Sequence, residues 1–220
     1  MGISHLAIVT FGALAGGFVS GLAGFGTGIT AIAVWLYVVS PPVAASLVVI
    51  CSVIAQLQSL PRVWRSIEAR RVLPFILPAL SGIPVGTALL PHLDTRLLKV
   101  AIGLLLLVFS SYMLLRRAHG RSEWGGRVAD GAIGFGGGVL GGLAGLSGML
   151  PTMWATVRGR GRNESRGLFQ AFNLAVLSIA LLSHAFAGLL TSEVGLARLA
   201  ALPGTIAGAV AWRSHVRARR

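Results

Sequence analysis

Seven long apolar stretches make up most of this chain, with its charges confined to the short segments between them. The stretches are Leu6–Val39, Val43–Leu60, Val72–Leu90, Leu97–Leu115, Val128–Val157, Leu168–Leu190 and Leu196–Trp212. A hydrocarbon core of roughly 30 Å takes about 20 helical residues to cross, and five of the stretches suit a single crossing. The first and fifth are longer, about 45 to 51 Å as continuous helices at ~1.5 Å per residue, enough to enter a bilayer and return. Only 11% of the residues are charged, whereas a soluble domain carries about a quarter. The pattern predicts an all-α, polytopic integral membrane protein.

Both over-long stretches are interrupted by glycine, as SGLAGFGTG over residues 20–28 and GGLAGLSG over residues 141–148. These motifs belong to an internal repeat. A shift of 121 residues places Gly16 and Gly17 on Gly137 and Gly138, and Gly21–Gly24 on Gly142–Gly145; a shift of 122 places Gly82 and Gly86 on Gly204 and Gly208. The repeat divides the chain into a first membrane unit (1–117), a cytoplasmic linker (118–127) and a second membrane unit (128–220). At this offset the fourth stretch, Leu97–Leu115, has no counterpart, so the second unit reads as one helix short.

The 19 Lys and Arg residues orient the two units, because basic loops mark the cytoplasmic side. If every stretch crosses once, the two sides receive 9 and 10 of them and neither is preferred. If the first and fifth stretches dip in and return, one side keeps only Arg96, Lys99 and Arg198 and the other takes the remaining sixteen. The second arrangement is the expected one: two broken, re-entrant helical hairpins, three crossings per repeat, and an imperfect inverted repeat, with the N-terminus outside. The same placement explains the net charge of +13 without a nucleic-acid partner. The start, MGISHLAIV, lacks the basic opening of a secretory signal peptide, and the first stretch is expected to stay in the protein.

A helix that unwinds at membrane depth frees N–H and C=O groups, which is tolerated only against protein or a water-filled cavity. Half-helix N-termini carry partial positive charge and suit anions. Two such breaks brought together by inverted symmetry would form a small anion site, although each glycine taken alone also fits simple close packing of helices. The expected site residues are Ser20, Gly21, Gly24, Gly26, Thr27, Gly28 and Thr30 at the first break and Gly142, Gly145, Ser147, Gly148 and Thr152 at the second. The following helices add Ser52 and Asn173, which coincide under the 121 shift, and Gln56 and Gln170, whose amides also read as interhelical glue.

No acidic residue lies in the middle of a stretch, since all six fall in loops or at ends, so a carboxylate proton relay is not expected. His184, or Asp130 at the end of a stretch, is left as the proton-coupling residue, though a histidine on an apolar face usually reads as packed and hydrogen-bonded. The single Cys51 reads as a small packing residue, and no metal or cofactor is expected.

The segment GGFVSGLAGFGTGITAIAVWLYVVSPPVAAS, together with GGGVLGGLAGLSGMLPTMW, an Arg-rich loop and FQAFNL, resembles the two halves of the TauE/SafE sulfite exporter family across essentially the whole chain. The resemblance implies a carrier of the bacterial inner membrane for small anions, often sulfur oxyanions or organosulfonates. Members usually carry a final apolar helix after the segment that here ends AWRSHVRARR, and a glycine is frequent where Thr27 stands. Export by alternating access is the expected function, with the anion and the lipid bilayer as partners.

Two other classes fit parts of the pattern. A non-transporting membrane subunit would use a partner, or a homodimer, to cover the face left by the missing helix. An intramembrane serine protease would use Ser147 in Gly145-Leu146-Ser147-Gly148 with His184 as its base, but the repeat already accounts for those glycines.

Overall fold

The computed structural model describes residues 3–23, 26–63, 67–115, 125–159 and 162–217. They form α1 (Ile3–Ala23), α2 (Thr27–Trp35), α3 (Pro41–Val63), α4 (Ala69–Leu89), α5 (Thr95–Leu115), α6 (Gly126–Ala144), α7 (Met149–Val157), α8 (Arg162–Phe186) and α9 (Ser192–Arg217), with a 3-10 turn at Leu90–His92. No strand occurs among the described residues. Six helices, α1, α3, α4, α5, α8 and α9, are long and apolar enough to cross a membrane. This is a polytopic membrane protein.

Both over-long stretches break as their glycines predict. Gly26, at φ +115°, precedes α2. Gly145, at φ +68°, caps α6: its N–H bonds to Gly141 O (2.9 Å), and Leu146 N–H reaches Leu140 O (3.1 Å). A left-handed glycine is a common helix terminator because it has no Cβ to strain.

In each case the short helix runs back along the long one. Trp35, at the end of α2, donates its indole N–H to Val9 O (3.0 Å), and a Cβ on Gly12 would lie 2.6 Å from the same indole nitrogen. In the second hairpin Trp154 of α7 donates to Asp130 Oδ1 on α6 (2.7 Å), and a Cβ on Gly125 would lie 2.9 Å from its ring. Val9 and Asp130 are themselves 121 residues apart. The second hairpin is tied further by Arg158, which pairs with Asp130 (3.0 Å) and lies 5.3 Å from the Trp154 ring centre.

The halves interlock through their fourth helices. The most extensive contacts in the fold are α4 on α6 and α9 on α1. Gly134, Gly138 and Gly142 of α6 face the carbonyls of Phe75, Ala79 and Ile83, and Gly82 and Gly86 of α4 face those of Phe135 and Val139. On the other side Gly17 meets Thr205 O, while Gly204 and Gly208 meet Thr10 O and Leu14 O. The repeated pairs Gly82/Gly86 and Gly204/Gly208 are therefore packing glycines, which let backbones touch where lipid supplies no hydrophobic drive. Gly138→Val should separate α4 from α6 and lower the melting temperature of the detergent-solubilised protein, at a cost of about 1–3 kcal/mol for overpacking. The same change at Gly103, whose Cβ would meet nothing within 4 Å, should leave it unchanged.

Candidate functional site

The two hairpin tips meet between α3 and α8. A Cβ on Gly28 would lie 2.8 Å from Gly145 O, and one on Gly145 would strike Val48 of α3. Gly148 stands equally close to α8, where a Cβ would lie 2.7 Å from Asn173 Nδ2. Glycine is required here because any side chain would push the tips off the helices that support them.

A cavity of about 300 Å³, counting the space at its mouth, opens at this junction. One wall is the start of α2, with Gly26, Thr27, Gly28 and Ile29, and the other is the tip and start of α7, from Gly145 to Met149. Ser52 and Gln56 of α3 and Asn173 and Leu177 of α8 complete it. Among the described residues no charged side chain lines it.

The first N–H groups of α2 and α7 have no partner within their own helices by geometry, and each helix dipole turns its positive end to the cavity. Thr30 N–H bonds Gly26 O (3.0 Å) and Thr152 N–H bonds Gly148 O (3.1 Å), while the first N–H of α7, on Met149, reaches back to Leu146 O (3.3 Å).

Two polar atoms here lack protein partners. Thr27 Oγ1 and Gln56 Oε1 are buried without a hydrogen bond, on residues only 2% and 3% exposed. Leaving such groups unpaired costs about 1–3 kcal/mol each. Ser147 by contrast donates its hydroxyl to Asn173 Oδ1 (2.8 Å), which fixes the amide at the wall.

Of the residues expected from the sequence, Gly26, Thr27, Gly28, Ser52, Gly145, Ser147, Gly148 and Asn173 line the cavity. Ser20, Gly21, Thr30, Gly142 and Thr152 lie outside its lining, and Gly24 falls outside the described residues. Thr152 turns its hydroxyl back to Gly148 O (2.6 Å), and Gly142 faces Ile83 across the α4–α6 contact. Gln170 binds Ser59 of α3 and acts as interhelical glue, whereas the similar Gln56 reaches the cavity. Ile29, Leu146, Met149 and Leu177 supply apolar walls that nothing in their residue types could have marked.

His184 does not approach Ser147 as a catalytic base would. Its Nε2 bonds Gly142 O (2.7 Å) and its Nδ1 meets Ser46 Oγ (3.1 Å), while the Ser147 hydroxyl is committed to Asn173.

A model of the sulfite exporter TauE/SafE family matches residues 8–219 of the 220-residue chain. The chain belongs to the TauE/SafE family. No curated protein and no solved structure matches it. The TauE/SafE match runs through both hairpins and all six long apolar helices, so the cavity sits within the region shared with a family of membrane transporters.

Proposed function

We propose that this TauE/SafE protein exports a small anion, such as sulfite or a sulfonate, across the bacterial cytoplasmic membrane. The observation that carries the reading is the convergence of two half-helix N-termini with the unpartnered Thr27 Oγ1 on one uncharged cavity. Helix-end N–H groups and hydroxyls hold an oxyanion without a full countercharge, so the anion can also be released. The amides of Asn173 and Gln56 and the hydroxyls of Ser52 and Ser147 select and orient it.

The antiparallel hairpins support an inverted repeat with five crossings, the N-terminus outside and sixteen basic residues on the cytoplasmic face. The cavity would then be exposed alternately by rocking one repeat against the other. A carrier also suits the site better than an enzyme does, since Ser147 faces an amide and has no base.

Uptake of radiolabelled sulfite, thiosulfate and methanesulfonate into inside-out vesicles tests the reading. Asn173→Leu keeps the branching and heavy-atom count of the side chain and removes the amide; it should reduce uptake at low anion concentration at least tenfold, as expected from losing hydrogen bonds to a charged group of about 1.5–3 kcal/mol. Equal uptake by both proteins for every anion would sink the assignment.

A further inference from the structure

Away from the cavity wall, the histidine near the end of α8 forms a second polar centre. His184 is fully buried and ties three helices together, reaching Ser46 of α3 through Nδ1 (3.1 Å) and the Gly142 carbonyl of α6 through Nε2 (2.7 Å). A carbonyl can only accept, so Nε2 carries hydrogen, and in the neutral ring Nδ1 accepts from the Ser46 hydroxyl. A proton added at Nδ1 reverses only that one bond. The hydroxyl then accepts from Nδ1–H, and its own hydrogen can turn to the carbonyl four residues back, as helical serines do. Both protonation states of this imidazole are therefore fully hydrogen-bonded without moving a helix.

Beside it lies an unused hydroxyl. Thr87 Oγ1 of α4 is buried with no partner, and a Cβ on Gly142 would lie 3.0 Å from it. A polar orphan against the very residue that accepts from His184 is the sort of place where a buried group or water completes a polar path.

The centre is connected to the cavity at two points. Gly142 is one helical turn before Gly145 in the cavity wall, and α3 carries Ser46 as well as Ser52 and Gln56. Among the described side chains other charges are remote: Arg70 and Arg71 of α4, and Arg127 and Asp130 of α6, stand at the opposite ends of their helices. The other titratable group of α3, Cys51, meets Thr205 of α9. On the His184 side, His92 bonds Ala88 O at the surface, and Glu193 and Arg198 of α9 are exposed. An anion in the cavity is thus answered by one nearby buried group that can become positive, and at low dielectric each would favour the other.

We propose that His184 is the proton-binding site of the carrier, taking up one proton at Nδ1 with each anion bound and releasing it with the anion. This rests on the reading of the cavity as an anion site; one proton offsets one unit of the anion's charge, which leaves the loaded form neutral for a monoanion such as methanesulfonate.

The test is transport of labelled thiosulfate in proteoliposomes, measured as counterflow without a gradient and as accumulation driven by an alkaline interior. The wild-type protein should do both. His184→Gln retains a donor for Gly142 O; it should lose driven accumulation, and whatever counterflow it keeps should no longer vary with pH. Should that variant fail to fold, Ser46→Ala removes the hydroxyl that bonds Nδ1 in both protonation states, and more strongly in the charged one. It should move the pH of half-maximal driven accumulation down by about one unit, since a hydrogen bond to a charged group is worth roughly that shift. Undiminished driven accumulation in His184→Gln, or an unmoved pH profile in Ser46→Ala, overturns the proposal. Wild-type protein without counterflow of thiosulfate, sulfite or methanesulfonate overturns the anion reading itself, and this inference with it.

Discussion

Replacing Gly145 with alanine is expected to abolish anion transport. The residue sits at φ +68°, which costs a non-glycine residue roughly 1–2 kcal/mol. Its Cβ would also strike the Val48 side chain, so α3 and the hairpin tip must separate, for about 1–3 kcal/mol more. The same backbone that would move closes the end of α6 and forms the cavity wall. Vesicle uptake and a melting curve on the same preparation would measure both consequences. Wild-type uptake in Gly145→Ala would mean that the tip does not bound the transport site. Gly103→Ala, at a position with open space, is the control expected to behave as wild type.

A double substitution, Thr27→Val with Gln56→Leu, should move stability and function in opposite directions. Each change removes a buried polar atom that has no protein partner, at nearly constant volume. Relieving those penalties, about 1–3 kcal/mol each, should raise the melting temperature by several degrees. The same atoms are the free groups facing the cavity, so half-saturation for the transported anion should rise at least tenfold. Natural sites commonly hold stability in reserve in this way. A protein that becomes more stable and keeps its affinity would mean that the two orphans are packing faults and not ligands.

Much of the fold was legible because membrane crossing imposes a length. Leu6–Val39 and Val128–Val157 are too long for one crossing and too glycine-rich to stay straight, and the structure breaks them at Gly26 and Gly145. The balance of Arg and Lys already favoured hairpins over crossings. Less predictable was which glycines serve the cavity. Gly142 and Gly145 are three residues apart in one motif, yet the first faces α4 and the second faces α3, because the direction of a helical residue depends on the neighbour against which it packs.

The amides show the same limit. Gln56 and Gln170 look alike in sequence, each polar within an apolar helix, and only the crossing of α3 and α8 sends one to the cavity and the other to Ser59. His184 was read as packed and hydrogen-bonded, and it is; but the sequence held no sign that Ser46, Gly142 and Thr87, on three other helices, would gather around it.

The interlocking of α1 with α9 also bears on how the protein is made. Gly17 of α1 touches the backbone of Thr205, and Gly204 and Gly208 of α9 touch that of α1, so the two helices seal one another's glycine faces. A ribosome delivers α1 well before α9, with α2 to α8 made between them. Until then the side of α1 that carries Gly17 lacks its α9 neighbour, while α4 and α6 can already have zipped together. Assembly should therefore finish with a late docking of α9 against α1.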